Sequence, residues 1–238
     1  MEMELKAILK IFSKMNELVI SKKFNTCTKE NKIKNRKIII AKAGVGTVNA
    51  ALTTAFIAEK QSIDGILLLG VAGALQDFLQ IGDIVLSNKI LQHDCFFSGE
   101  KKREYMAPGE LFVSLNLKKR KAPEFIIDKT FLNWLEPLIL SKVSSKVYKG
   151  TIMSGNEFVG NIRRKINLSK EDAKALAVEM EAAGVAQVAT KLGIPFAVVK
   201  TIADRLYPDG AVRNDYNKFK SSAAKTAAEL INLIIHSS

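Results

Sequence analysis

Ala175–Ala189, ALAVEMEAAGVAQVA, changes its repeat in mid-run. Ala175–Met180 is apolar almost throughout until an acid interrupts it, the pattern of a short strand covered on both faces. From Ala182 to Leu192 the apolar residues fall at helical spacing, and Pro195–Ala203 (PFAVVKTIA) returns to a β-branched, strand-like run. Strand, helix and strand in that order are the unit of an α/β fold. Working outward, Lys37–Ala43 (KIIIAKA), Gly65–Gly70 (GILLLG), Ile81–Leu91 (IGDIVLSNKIL) and Gly150–Ser154 (GTIMS) also predict strands. Helical stripes are predicted over Leu5–Ile20, Val48–Ala58, Asp128–Leu140, Glu157–Ile166 and Asn214–Ile235. The alternation predicts one α/β domain over residues 1–238, with a central, mostly parallel or mixed β-sheet flanked by helices. No internal repeat, low-complexity tract or linker divides it. In such folds the site gathers at the carboxyl ends of the strands.

Composition narrows the function classes. Of 238 residues, 47% are hydrophobic and 25% charged, a balance that neither a disordered chain nor a membrane bundle shows. The longest apolar run, Gly65–Leu75, is too short to span a bilayer and reads as a buried strand and turn. The amino terminus lacks a secretory cleavage pattern, so the chain as written is expected to be cytoplasmic, with an exported form left open if an upstream segment was removed. Cys27 and Cys95 cannot build a disulfide framework, and with His93 and His236 the only histidines, a His-rich metal centre is excluded. No metal or cofactor is expected.

Thirty-six Lys+Arg against 24 Asp+Glu give a net charge of +12. The excess crowds Lys6–Lys37 and two later clusters, Lys101–Arg103 and Lys118–Lys121. Solvated surface is the plain reading. Polyanion binding, to nucleic acid or a glycosaminoglycan, is the sharper one, although no aromatic interleaving accompanies the charge.

Three strand ends break an apolar run with glycine or an acid. Ala43–Ala50 (AGVGTVNA) has the spacing GxGxxN, which fits a tight turn as well as an anion cradle. Glu179 and Glu181 stand at i and i+2 where a strand becomes a helix; there they can cap the helix or accept hydrogen bonds from vicinal hydroxyls. Asp204 ends a hydrophobic strand close to Lys200 and Arg205, where it can pair with either cation or cap the next helix. Glu4, Glu181 and Asp204 come from distant parts of the chain and could converge at one strand-end cleft. Carboxylates converging without metal-binding histidines point to acid/base hydrolysis.

Together these segments resemble the 5′-methylthioadenosine/S-adenosylhomocysteine nucleosidases of the purine nucleoside phosphorylase-like superfamily. The resemblance is carried by AGVGTVNAA (43–51), GVAGAL (70–75), IGDIVLS (81–87), QHD (92–94), SGNEFV (154–159), VEMEAAGVAQVA (178–189) and KTIAD (200–204). It implies a nucleoside phosphorylase-like fold whose first strand would precede residue 1. It also implies a homodimer and a substrate that is an adenine nucleoside thioether. By the same resemblance, Asp204 protonates adenine N7 and Glu4 activates water. Glu181 holds the ribose hydroxyls, Met180 packs on the sugar, Phe158 stacks on the purine, and the Val159 backbone reads its Watson–Crick edge. Ala72, Gly73, Glu179 and Lys200 complete the expected substrate site. Lys200 stands where the family often has Arg, and Ala203 where it has Ser. Val71 replaces a hydroxyl residue and Asn156 an Asp. Residues 95–103 replace an apolar stretch that in the family closes over the 5′ substituent.

Overall fold

Of the apolar run Gly65–Leu75, Ile66–Ala74 becomes an extended strand running straight through two glycines, and a mixed sheet is assembled around it. The computed structural model describes residues 17–21, 26–31, 36–98, 100, 103–106, 124–143, 145–205, 229–230 and 232–233. In chain order the elements are β1 (Glu17–Ser21), β2 (Thr26–Asn31), β3 (Arg36–Ala41), α1 (Thr47–Lys60), β4 (Ile66–Ala74), β5 (Ile84–Gln92), β6 (Phe96–Ser98), β7 (Arg103–Tyr105), β8 (Glu124–Ile126), α2 (Lys129–Lys142), β9 (Val147–Ser154), α3 (Ile162–Glu171), β10 (Ala175–Glu179), α4 (Ala182–Leu192) and β11 (Phe196–Asp204).

The main sheet has the order β11-β4-β10-β9-β5-β8, and β5 also pairs with β11. Five strands therefore close on themselves, which leaves no open edge between β5 and β11, and β8 is added outside the ring. β4 runs parallel to β11 from Ile66↔Phe196 to Gly73↔Asp204, whereas β10 meets β4 antiparallel at Ala177↔Ala74 and Val178↔Gly73. The carboxyl tips of β4, β10 and β11 thus come together at Gly73. Ile84, Leu86, Ile90, Ile152, Ala177, Val198 and Ile202 fill the interior, and Leu135 and Ile139 of α2 cover it from outside. Continuous apolar strands make sense here, because both faces of the sheet are buried.

The mixed α/β architecture matches the sequence expectation, with local corrections. The helical stripe expected over Leu5–Ile20 includes Val19, but Glu17–Ser21 is a strand paired antiparallel with β2, so Leu-Val-Ile serves a β ladder. The remainder of that predicted helix lies outside the described residues. Of Asn214–Ile235, Glu229, Leu230, Asn232 and Leu233 are described, and these are helical. The helix expected over Glu157–Ile166 starts at Ile162, because Asn161 accepts from the amides of Arg163 and Arg164 and caps it there. The strand expected from Ile81 starts at Ile84; Gly82 has φ +91 and the Asp83 carboxylate accepts from Gln80 N, which makes a turn. Among the described residues no helix is long and apolar enough to cross a membrane.

α1 and α4 pack at backbone distance because α4 presents Ala182, Ala183, Gly184 and Ala186, all buried. A Cβ on Gly184 would run into the Thr47 carbonyl and lie 3.1 Å from Ala51 N. Gly184→Ala is therefore expected to destabilise. Replacing a helical glycine gains at most ~1 kcal/mol, while forcing atoms into a packed contact costs about 1–3 kcal/mol. The melting temperature should fall by several degrees, at about 2–4 °C per kcal/mol for a chain of this size. A rise would show that the two helices separate freely.

Candidate active site

Gly73, Val178 and Asp204 are neighbours in the sheet, so the segments just beyond them face one another across its carboxyl end. A cavity of about 980 Å³ runs along β4 from Gly65 to Gly73 and reaches this end of the sheet. Val71–Gly73, Val178–Glu181, Lys200, Ala203 and Asp204 form its inner wall, and Glu157, Phe158 and Val159 border it from the loop after β9. Position at strand ends is what the α/β pattern predicts.

The floor holds two buried charges, Glu179 and Lys200, and a half-buried one, Glu181. Lys200 Nζ, 1% exposed, lies 2.6 Å from Glu179 Oε2 and 3.3 Å from Glu181 Oε2. A Cβ on Gly70 would come within 3.1 Å of Nζ, so the glycine leaves room for the lysine to cross the strand. Glu179 also accepts from the amides of Glu181 and Ala182, at 3.1 and 2.9 Å, and so caps the start of α4. Capping and site-building are the same carboxylate here. Burial disfavours charge on Glu179, but Lys200 and these hydrogen bonds outweigh it and hold its carboxyl below the usual range. Glu181 makes no capping hydrogen bond. Burial, opposed by Lys200 but reinforced by Glu179, pushes its carboxyl up. Burial works against the Lys200 ammonium too, yet the two carboxylates win and hold it above the ordinary lysine value. The pair of acids therefore differs in character: Glu179 is a fixed anion, Glu181 a carboxyl facing the cavity.

Asp204 sits beyond a bulge between Ile202 and Asp204 in the β4 register, a device that re-aims a side chain at a strand end. Both neighbouring cations have partners elsewhere among the described residues. Lys200 turns to the two glutamates, and the Arg205 guanidinium donates to Gln80 Oε1 at 2.6 Å. Lys165 of α3 reaches Asp204 Oδ1. Sequence reasoning misses Lys165 altogether.

Asn156 fixes the loop that carries Phe158. Its amide N donates to Asp94 Oδ2 at 2.7 Å, and its side chain accepts from Thr47 N at 2.9 Å and donates to Thr47 Oγ1 at 2.7 Å. The first amide of α1 is thus satisfied by a side chain, and the glycine loop at Gly44 and Gly46, with φ +83 and +95, works as a tight turn. Arg164 clamps Glu157 through two 3.0 Å hydrogen bonds from Nε, next to Phe158, which is 68% exposed at the cavity rim. Val159 is buried. Beneath the loop, Gly155 leaves space for the buried His93, whose charged form burial disfavours.

Of the residues singled out from sequence, Ala72, Gly73, Phe158, Val159, Glu179, Met180, Glu181, Lys200 and Asp204 all border this cavity. Glu4 lies outside the described residues, as do Lys101, Lys102 and Lys118–Lys121 of the basic clusters. Among the described residues no group of three or more His, Cys, Asp or Glu is placed to hold a metal.

A family model described as the phosphorylase superfamily matches residues 1–236. The chain belongs to the phosphorylase superfamily. Within that superfamily it is 29% identical over 237 residues to the 5′-methylthioadenosine/S-adenosylhomocysteine nucleosidase of Staphylococcus haemolyticus, covering 99% of this chain and 96% of that protein. The nucleosidase of Neisseria meningitidis, solved in complex with methylthio-immucillin-A, superposes with a TM-score of 0.80 at 25% identity, over 100% of this chain and 96% of the other. The futalosine hydrolase of Helicobacter pylori superposes with a TM-score of 0.79 at 27% identity, over 99% and 94%. The nucleoside phosphorylase-like fold read from the sequence is the fold of this superfamily member.

The three-charge floor makes a stability prediction. Lys200→Met leaves the buried Glu179 and the half-buried Glu181 without their cation, and removing one partner of a buried ion pair costs about 3–5 kcal/mol. The melting temperature at pH 7 is expected to drop by on the order of 10 °C, with Lys200→Arg falling less. An unchanged melting temperature in Lys200→Met would mean that the glutamates find water instead.

Proposed function

We propose that this protein hydrolyses the N-glycosidic bond of 5′-methylthioadenosine and S-adenosylhomocysteine, releasing adenine and a thioribose product. The observation that carries the reading is the placing of Asp204 and Glu181 on one cavity beneath the exposed ring of Phe158. Breaking the bond leaves an electron pair on the base and positive charge on the sugar. A proton at N7 makes the base a neutral leaving group, and Asp204 is positioned at the strand-end wall to supply it. Glu181 accepts from the ribose hydroxyls with Met180 against the sugar face, and its carboxylate opposes the developing positive charge. Phe158 stacks on the purine, the Val159 backbone reads the Watson–Crick edge, and Ala72 and Gly73 give the ring close access to the strand. Glu179 and Lys200 hold Glu181 in place. Glu4 is the base that takes a proton from water, and attack on the face opposite the departing base follows the inverting logic of other glycoside hydrolyses.

Water is favoured over phosphate as the nucleophile by the glycine loop. The leading amide of α1 is already engaged by Asn156, and residues 43–51 contain no cation that would bind phosphate. The same reading makes the protein a homodimer acting in methionine salvage. The alternative, polyanion binding, draws on basic clusters whose central residues lie outside those described, and no observation favours it.

Adenine release from both nucleosides in phosphate-free buffer tests the reading, with Asp204→Asn alongside. Wild type should release adenine without phosphate. The amide cannot deliver a proton, so turnover per folded molecule should fall by about 10²–10⁴-fold, and the melting temperature should fall as well, because the buried Lys165 loses its counter-charge. Near-normal turnover by Asp204→Asn, or an absolute need for phosphate, would sink the assignment.

A further inference from the structure

α3 is a strongly polar helix that buries two residues, Lys165 and Leu168. At i and i+3 these lie on one face, and that face is where an amphipathic helix ordinarily places apolar side chains. Lys165 is 4% exposed there, with its ammonium group against Asp204, which lines the cavity. A buried lysine is rare unless it is paired. Among the described residues its ion-pair partner is Asp204, at Oδ1. The two groups meet over Gly73, where an added Cβ would lie 3.1 Å from both Lys165 Nζ and Asp204 Oδ2. Hydrogen bonds to Asp204 Oδ2 are absent among the described residues, so the lysine engages one carboxylate oxygen of a residue that lines the cavity.

We infer that Lys165 is a positioning residue for Asp204: it anchors Oδ1, so that the proton which the carboxyl takes up from solvent before each turnover sits on Oδ2 and passes from there to the leaving base. This rests on the hydrolase reading above and adds a second residue to its acid. The arrangement has a clear physical rationale. Asp204 is the last residue of its strand, and the bulge before it takes its side chain out of the regular register. A carboxyl in that position has several rotamers available, and proton transfer needs one of them. Misplacement by about 1 Å at a reacting centre costs on the order of 100-fold in rate. A second element, α3, supplies the constraint that the strand end lacks.

The test compares kcat, KM and melting temperature for wild type, Lys165→Met, Lys165→Arg and Asp204→Asn, with 5′-methylthioadenosine as substrate. In Lys165→Met, kcat should fall by about 10- to 100-fold with KM within about threefold, because base stacking and ribose contacts do not involve the lysine. Lys165→Arg keeps a cation at the same distance and should recover most of kcat. A brace that served folding alone would lower the melting temperature and leave kcat per folded molecule unchanged. That result, or a loss confined to KM, or failure of the arginine to recover kcat, would overturn the inference. If Lys165→Met does not fold, Lys165→Gln takes its place: a loss in kcat of about 10- to 100-fold per folded molecule supports the role, and kcat within about threefold of wild type overturns it. Adenine release that is absent from wild type or indifferent to Asp204→Asn would instead overturn the hydrolase reading beneath it.

Discussion

One ammonium group, that of Lys200, determines the arrangement of everything around it. It is buried in the wall of the closed sheet and tied to Glu179 and Glu181 across the strand tips. Burying a charge is expensive and becomes tolerable only when the partner is close and its remaining lone pairs are satisfied. Here the backbone amides at the start of α4 complete the satisfaction of Glu179. The start of α4, the end of β10 and the middle of β11 are thereby locked to one another by a single cluster. Such a cluster contributes less to net stability than apolar packing would. Its consequence lies in geometry: two carboxylates two residues apart take different electrostatic roles, one held ionised and one pushed toward its protonated form.

The closed sheet is the second constraint. Because β5 pairs with both β9 and β11, the ring fixes how far apart the tips of β4, β10 and β11 can be. Gly70 and Gly73 in β4 are the positions where side chains of β11 pass over the neighbouring strand, Lys200 at the first and Asp204 at the second. Removing a Cβ at those two points lets charged groups reach the cavity from a strand that is otherwise wholly apolar on its inner face. Outside the ring, Asn156 ties the loop bearing Phe158 to the start of α1 and to Asp94 at the end of β5. Three separate elements therefore hold the rim of the site.

Much of this is legible in the residue order. The strands at 150–154, 175–180 and 195–203 are visible because they are buried on both faces and so appear as unbroken apolar runs, and those at 37–43 and 65–70, only half-buried, are visible as β-branched and leucine-rich runs. The helix over Ala182–Leu192 is legible to its ends, since Glu181 precedes it and Gly193, at φ +68, closes it. Glu17–Ser21 is misread from sequence because Leu, Val and Ile in a lysine-rich stretch satisfy helical and β spacing alike, and its partner strand decides between them. The three-residue strands β6, β7 and β8 are too short to leave a periodic signal.

By itself, the sequence determined the α/β class, the strand-end location of the site and the identity of the acids that border it. These are properties of local order: apolar period sets the element, and an acid that interrupts an apolar run marks where the element ends. Partnership was decided by tertiary structure alone. Lys200 and Arg205 flank Asp204 in the chain, yet strand alternation, the bulge and ring closure send them elsewhere, and the cation that reaches Asp204 comes from α3, thirty-nine positions away. Lys165 looks in sequence like one more lysine on a polar helix. Only the packing of that helix against β10 buries it, and burial is what obliges a charge to find a partner.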